Sequence, residues 1–292
     1  MQMLVEENPI TRTAKDKSCL LKVIRHHLDA CGVDRNQPVL VVGGGEEDLE
    51  MLTACEFRQI VLSNLGGTEI ALDAESIDLP DNSYPIVFAH AVLHHCRSPQ
   101  KALGEIVRVS QKHVFFLEPN DSWALRMLVR LGFSFPYEIG GVVNNGYTGG
   151  MRNGPIPNYI YRWTEREVIK SISAYHPEQQ FQVRTHAYWD FYVNEEELLA
   201  RKETRVAWLA TKLGPRTCLA LLRLAQIFLN TPFVCSQGNK FFCSISKRDL
   251  QPWIETRDGH HRVKRNATHS VEHALTHSDP PRTDGCGAKS FS

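Results

Sequence analysis

The chain has 292 residues, is 42% hydrophobic and carries 33 basic (Lys and Arg) against 33 acidic (Asp and Glu) side chains. That length supports one large domain or two small ones, and the neutral balance removes any global electrostatic ground for binding nucleic acid. None of the eight cysteines forms a C-x-x-C pair, so all are expected to be reduced thiols of a cytoplasmic protein.

The opening MQMLVEENPITRTAKDK is polar and lacks the apolar core of a signal peptide. Leu20, Leu21, Ile24, Leu28 and Cys31 then fall at helical spacing over 16–31, and Gly32 stops the helix. Val39–Val42 is a short buried-type strand that ends on Gly43, Gly44 and Gly45. Glu46, Glu47 and Asp48 open a helix running to Cys55. A strand that turns through glycine into a helix brings backbone N–H groups to a ligand at the positive end of a helix dipole. The same glycines also suit a plain tight turn. Further strands are expected at 59–62, 69–72, 86–91 and 113–117, with a helix at 99–110 behind Ser98 as its cap. Strands alternating with helices predict a parallel α/β sheet covered on both faces, with ligands outside the carboxyl ends of the strands.

After Glu118 the regularity ends. A helix is expected at 122–131, followed by a long Gly-, Asn-, Pro- and Tyr-rich loop over 133–161 that reads as a lid or binding loop. Thr164 and Glu167 form a capping box for a helix reaching about Ala174. A strand at 181–185, one or two helices within 195–230 broken near Gly214-Pro215, and a last strand at 240–246 follow. The apolar stretch from Cys218 is interrupted by Arg223, Asn230 and Pro232, too early for a membrane span of about 20 residues. It reads as a core helix, with peripheral membrane contact as the alternative. One domain is expected over 1–249, with cap insertions at about 122–162 and 195–235, and a disordered polar tail over 250–292. His269, His273 and His277 stand four apart in that tail, but as a solvated segment, and no metal site is expected.

The string DAESIDLPDNSYPIVFAHAVLHHCRSPQKALGEIVRVSQ, from Asp73 to Gln111, resembles the class I S-adenosylmethionine-dependent methyltransferases. It is most similar to the type 11 group that includes ubiquinone- and menaquinone-biosynthesis enzymes. The resemblance covers roughly 20–120, and more loosely 163–246. It implies a Rossmann-like, seven-stranded, mostly parallel sheet with an antiparallel last strand, helices on both faces and a helical or loop cap. It also implies S-adenosyl-L-methionine as cofactor and a small-molecule methyl acceptor. Gly43, Gly44 and Gly45 would then approach the methionine end, and Asn64 the ribose. Asp73 would accept from the adenine amine, Ala74 would offer its N–H to the ring, and His90 would line the floor.

The chain departs from the group's pattern at Val41, Glu47, Asn64 and Pro85, where an acid, a glycine, an acid and an acid usually stand. An Asn in place of a carboxylate costs on the order of 1–2 kcal/mol of a charge-assisted bond. His94 and His95 read either as packing residues at a strand end or as a general base for an O-methyl acceptor. Asp73 reads alternatively as a surface or capping acid. Tyr137, Tyr147, Tyr159, Tyr161 and Trp163 either line an acceptor pocket or order the loop, and Arg152 is a candidate for an anionic acceptor. The lost acids motivate a second reading, a non-catalytic relative that keeps the fold as a binding scaffold. A nicotinamide dehydrogenase is disfavoured, because Asp48 stands where its fingerprint needs the third glycine.

Overall fold

The computed structural model describes residues 18–66, 70–191, 195–200, 205–232 and 234–264. α1 (Ser18–Ala30) buries Leu20, Ile24 and Leu28, and Gly32 leaves it at φ +63. β1 (Val39–Val42) is buried on both faces and leads through the glycines into α2 (Glu46–Ala54). β2 (Ile60–Asn64), β3 (Ile70–Ala71) and β4 (Tyr84–His90) follow. Then come α3 (Pro99–Val109), capped by the Ser98 hydroxyl, and β5 (Ser110–Pro119).

The second half begins with α4 (Trp123–Arg130) and α5 (Ile139–Asn144). α6 (Glu165–Tyr175) carries the expected Thr164/Glu167 capping box and precedes β6 (Gln179–Tyr188). α7 (Glu195–Ala200), α8 (Arg205–Leu213) and α9 (Pro215–Leu229) form a small cap around Ala210 and Leu219. β7 (Lys240–Leu250), β8 (Ile254–Arg257) and β9 (His260–Val263) end the described chain.

Seven strands make one sheet in the order β3-β2-β1-β4-β5-β7-β6. β1, β2, β3, β4 and β5 pair in parallel, and β7 runs antiparallel to both of its neighbours. Alternate residues feed opposite layers. Leu40, Val42, Val87, Ala89, Val114 and Phe116 pack with α3 and α6, whereas Val39, Val41, Ile86, Phe88, Phe115 and Leu117 pack with α1 and α2. Two apolar faces explain why these strands read as continuous hydrophobic runs.

Four expectations need correction. The 133–161 segment is not a structureless loop, since it holds α5 and a 3₁₀ turn at Met151–Asn153. The helical cap has three helices, not one or two. The polar tail is ordered at its start, where β8 and β9 pair around Asp258 and Gly259 at φ +54 and +77. Two consecutive positive φ values at Asp-Gly are what a type I′ hairpin turn requires. Residues 265–292, with the three spaced histidines, lie outside the described residues. Finally, six cysteines are free thiols, but Cys235 is disulfide-bonded.

Candidate active site

The glycine turn after β1 meets the segment after β4. A Cβ on Gly43 would lie 2.3 Å from Val92 Cγ2, and Gly43 takes φ +69, so only glycine lets the two turns approach. Gly44 and Gly45 serve the fold. The Gly44 N–H donates to Ser63 O at 3.0 Å, and the Gly45 N–H donates to Asp48 Oδ2 at 2.9 Å. Asp48 thus caps its own helix, and its other oxygen lies 2.7 Å from His90 Nδ1. His90 is turned toward α2 and does not line the cleft.

The cleft opens over the carboxyl ends of β1, β2, β3 and β4. Gly43, Asn64, Asp73, Ala74 and His95 line it, together with Arg152 from the lid. Its volume is about 180 Å³, below the ~300 Å³ at the small end of ligand pockets. The lid accounts for part of that. Arg152 Nη2 donates to Asp73 Oδ2 at 2.5 Å, and Asp73 Oδ1 accepts from the Glu75 N–H at 3.0 Å. The Asn64 side-chain Oδ1 accepts from the Leu65 N–H at 2.7 Å. Cys96 also lines the cleft, but burial and then the Glu75 charge push its thiol up to about 12, which disfavours the thiolate a nucleophile needs.

Much of the Asp73–Gln111 string is scaffolding for that wall. Arg108 donates to Ile77 O and Leu79 O, each at 2.8 Å, and forms a two-point pair with Glu105. That pair holds the Glu105 carboxyl below its ordinary range. Glu105 in turn accepts from the Ile77 N–H. Glu75 accepts from the Arg97 and Ser98 N–H groups, tying the start of α3 to the same loop.

His94 and His95 sit in a 3₁₀ turn, Leu93–His95, just past β4. His94 Nδ1 is 2.6 Å from Glu118 Oε2, and Glu118 Oε1 accepts from the Leu93 N–H at 2.7 Å. Glu138 of the lid approaches from the other side, 3.6 Å from His94 Nε2 and 3.7 Å from His95 Nε2. Burial works against a charged His94, but Glu118 and then Glu138 outweigh it and raise its pKa to about 9. The two carboxylates thus favour the protonated form of His94 in the ion-free protein, which argues against it as a general base. Burial and then the His94 charge lower His95, the member of the pair that faces the cleft. Of the aromatic candidates, Trp163 is fully buried against Phe116, and Tyr137 packs edge-on against Tyr159. These rings order the lid.

Sequence reasoning missed Glu118 and Glu138. Glu118 carried a signal, since an acid ending a fully buried strand needs a partner. Glu138 carried none.

A seven-stranded sheet with one antiparallel strand, and a cleft over the ends of its central strands, has the architecture of a class I methyltransferase. Residues 28–117 match the family model described as a methyltransferase domain, so that segment is a type 11 methyltransferase domain, whose cofactor is S-adenosylmethionine. The match does not distinguish the quinone-biosynthesis subgroup. No curated protein sequence matches the chain. Among solved structures, it is similar to a SAM-dependent methyltransferase from Archaeoglobus fulgidus, with 11% identity over 80% of this chain and 94% of that one and a TM-score of 0.42. The YcgJ protein from Bacillus subtilis gives 11%, 79%, 96% and 0.40, and the [4+2]-cyclase SpnF 13%, 84%, 86% and 0.42. These likenesses are distant, and the fold assignment rests on strand order and the family match.

Proposed function

We propose that the protein transfers a methyl group from S-adenosylmethionine to a small-molecule acceptor. One observation carries this reading: Gly43, Asn64, Asp73 and Ala74, which the family resemblance places at the cofactor, line a single cleft together with His95. The donor set suits the group. A carboxylate and a carboxamide stand where an amine and hydroxyls would need partners, and Gly43 marks where a side chain cannot enter. Bound there, the cofactor supplies a sulfonium-activated methyl. Asp73 and Asn64 would orient it, Arg152 would leave Asp73 to admit it, and His95 would face the acceptor. Holding the acceptor in line supplies much of such a rate.

Titration calorimetry with S-adenosylmethionine and its demethylated product tests this. Micromolar binding, weakened about tenfold or more in Asp73→Ala, is expected. Absence of both heat and thermal shift would remove the reading. The alternative, a non-catalytic binding scaffold, is favoured by two observations: Asp73 is occupied by Arg152, and the Gly44 and Gly45 amides are internally bonded. Turnover by the purified protein alone would dispose of it.

The proposal includes a cytoplasmic location and no nucleic-acid partner. No helix among the described residues is long and apolar enough to cross a membrane. Leu221, Leu224 and Phe228 share an exposed apolar stripe on α9, which supports peripheral membrane contact. Failure to co-sediment with lipid vesicles would exclude that contact.

A further inference from the structure

We propose that His94, His95 and Glu138 form a binding site for a divalent transition-metal ion of the zinc class at the edge of the cleft. One ligand atom from each of the three lies within 4.8 Å of the other two. The 3.6 and 3.7 Å separations from Glu138 Oε2 to the two imidazoles are too long for hydrogen bonds. They do match a coordination shell. Ligands about 2.0–2.2 Å from zinc stand about 3.3–3.6 Å apart in a tetrahedron, so the two Glu138 separations already fit that edge to within a few tenths of an ångström, and the two imidazoles, within 4.8 Å of each other, would draw together around the ion.

The surroundings are those a metal-bound histidine needs. A ligating imidazole usually gives its second nitrogen to a carboxylate, which fixes tautomer and ring orientation. His94 Nδ1 is so held by Glu118, itself 1% exposed and anchored on the Leu93 N–H. That arrangement leaves Nε2 for an ion. Glu138 Oε2 is buried and has no hydrogen-bond partner among the described residues, a state an ion would relieve. Two hydrogen bonds pre-set the approach: the Glu138 N–H donates to Asn158 O, and the Asn158 side-chain Nδ2 donates to His94 O, both at 3.1 Å.

Two imidazoles and one carboxylate suit zinc, with Mn(II) or Fe(II) next, whereas Mg(II) prefers oxygen. Three protein ligands leave a further coordination position. Because His95 also lines the cleft, that position is available to an acceptor oxygen. This last role rests on the methyl-transfer reading, but the ion site itself does not.

The test uses chelator-stripped, full-length protein with no methyl donor present, so its failure is separate from failure to bind S-adenosylmethionine. Zinc is titrated calorimetrically and counted by elemental analysis after dialysis, for the native chain, His95→Ala and Glu138→Gln. Each variant should bind one ion fewer per chain, or bind it at least tenfold more weakly, while excess Mg(II) fails to compete. Cobalt substitution should give the visible absorption of a low-symmetry four- or five-coordinate site, lost in both variants. Circular dichroism of the metal-free variants confirms that they fold, and Glu138→Gln preserves side-chain shape. Two results overturn the proposal: no ion bound by the native chain, or equal stoichiometry and affinity in native and variant proteins, which places the ion elsewhere.

Discussion

Replacing Arg152 by alanine should tighten the binding of S-adenosylmethionine. Arg152 Nη2 stands 2.5 Å from Asp73 Oδ2, the oxygen that the proposed site offers to the adenine amine. The two side chains are 43% and 25% exposed. A pair so open to water contributes about 0.5–1 kcal/mol, or about two- to fivefold in affinity. The lid backbone points the same way. Arg152 at φ +53 and Asn153 at φ +59 occupy the left-handed region, at a cost on the order of 1 kcal/mol each for non-glycine residues. Cutting the ion pair removes one of the contacts that hold this strained segment over the cleft. Calorimetric titrations of the native chain, Arg152→Ala, Asp73→Ala and the double variant measure the effect. Arg152→Ala should bind about two- to fivefold tighter. The double variant should match Asp73→Ala, because the arginine acts only through that carboxylate. Raising the salt should narrow the gap between native and Arg152→Ala, since an exposed pair is screened. Weaker binding in Arg152→Ala would refute the reasoning and make the arginine a ligand of the bound molecule.

Arg108→Ala should destabilise the fold by about 2–4 kcal/mol in urea unfolding, since it removes charged hydrogen bonds to Ile77 O, Leu79 O and Glu105. Arg108→Lys should restore little, because a single ammonium cannot reproduce the planar fork; full recovery would show the wall does not depend on it. Acid should destabilise the chain through His27, whose pKa is lowered to about 3 by burial and then by His186. The folded pKa lies below the ordinary 6.5, so the unfolded chain takes the proton first. Stability is complete above that value and falls with pH by about 2 kcal/mol at pH 5. His113, lowered to about 4 by burial and Lys112, adds in the same direction. A His27→Gln chain with the same stability slope between pH 6 and 4 would contradict this. Gly43→Ala should cost at least 1–3 kcal/mol and abolish cofactor binding, given the 2.3 Å approach to Val92. A normal thermal midpoint and normal binding would show that the two turns can separate freely.

The sheet was legible because its signals are local. Val39–Val42, the glycine turn and Ser98-Pro99 each announce an element through neighbouring residues, and the helix caps at Ser98 and Thr164 sit where expected. Boundaries were less legible. β5 extends from Ser110 to Pro119, beyond its apolar run, because pairing with β7 holds polar Glu118 opposite Phe241. β3 is only two residues long, consistent with a five-residue link from β2 in place of a crossover helix. The start of the tail was misread because a hairpin of exposed polar residues has no apolar alternation to betray it.

The site divides along the same line. Glu105 and Arg108 belong to the string that made the family recognisable, yet they hold the wall of the cleft and never line it. The side chains that close on the ligand region, Glu138 and Arg152, come from the 133–161 segment, which has no recognisable pattern. Each reaches its partner across at least 40 residues of sequence: Glu138 to His94, Arg152 to Asp73. No periodicity within either segment encodes such a contact, since it depends on how the lid seats on the 3₁₀ turn after β4. On the methyl-transfer reading, the family-typical wall would hold the donor, and the atypical lid would close on the donor through Arg152 and on the acceptor through Glu138. Substitutions at Asp73 of the wall and Arg152 of the lid should therefore move cofactor affinity for every acceptor alike, whereas Glu138→Gln should move acceptor turnover with cofactor affinity unchanged.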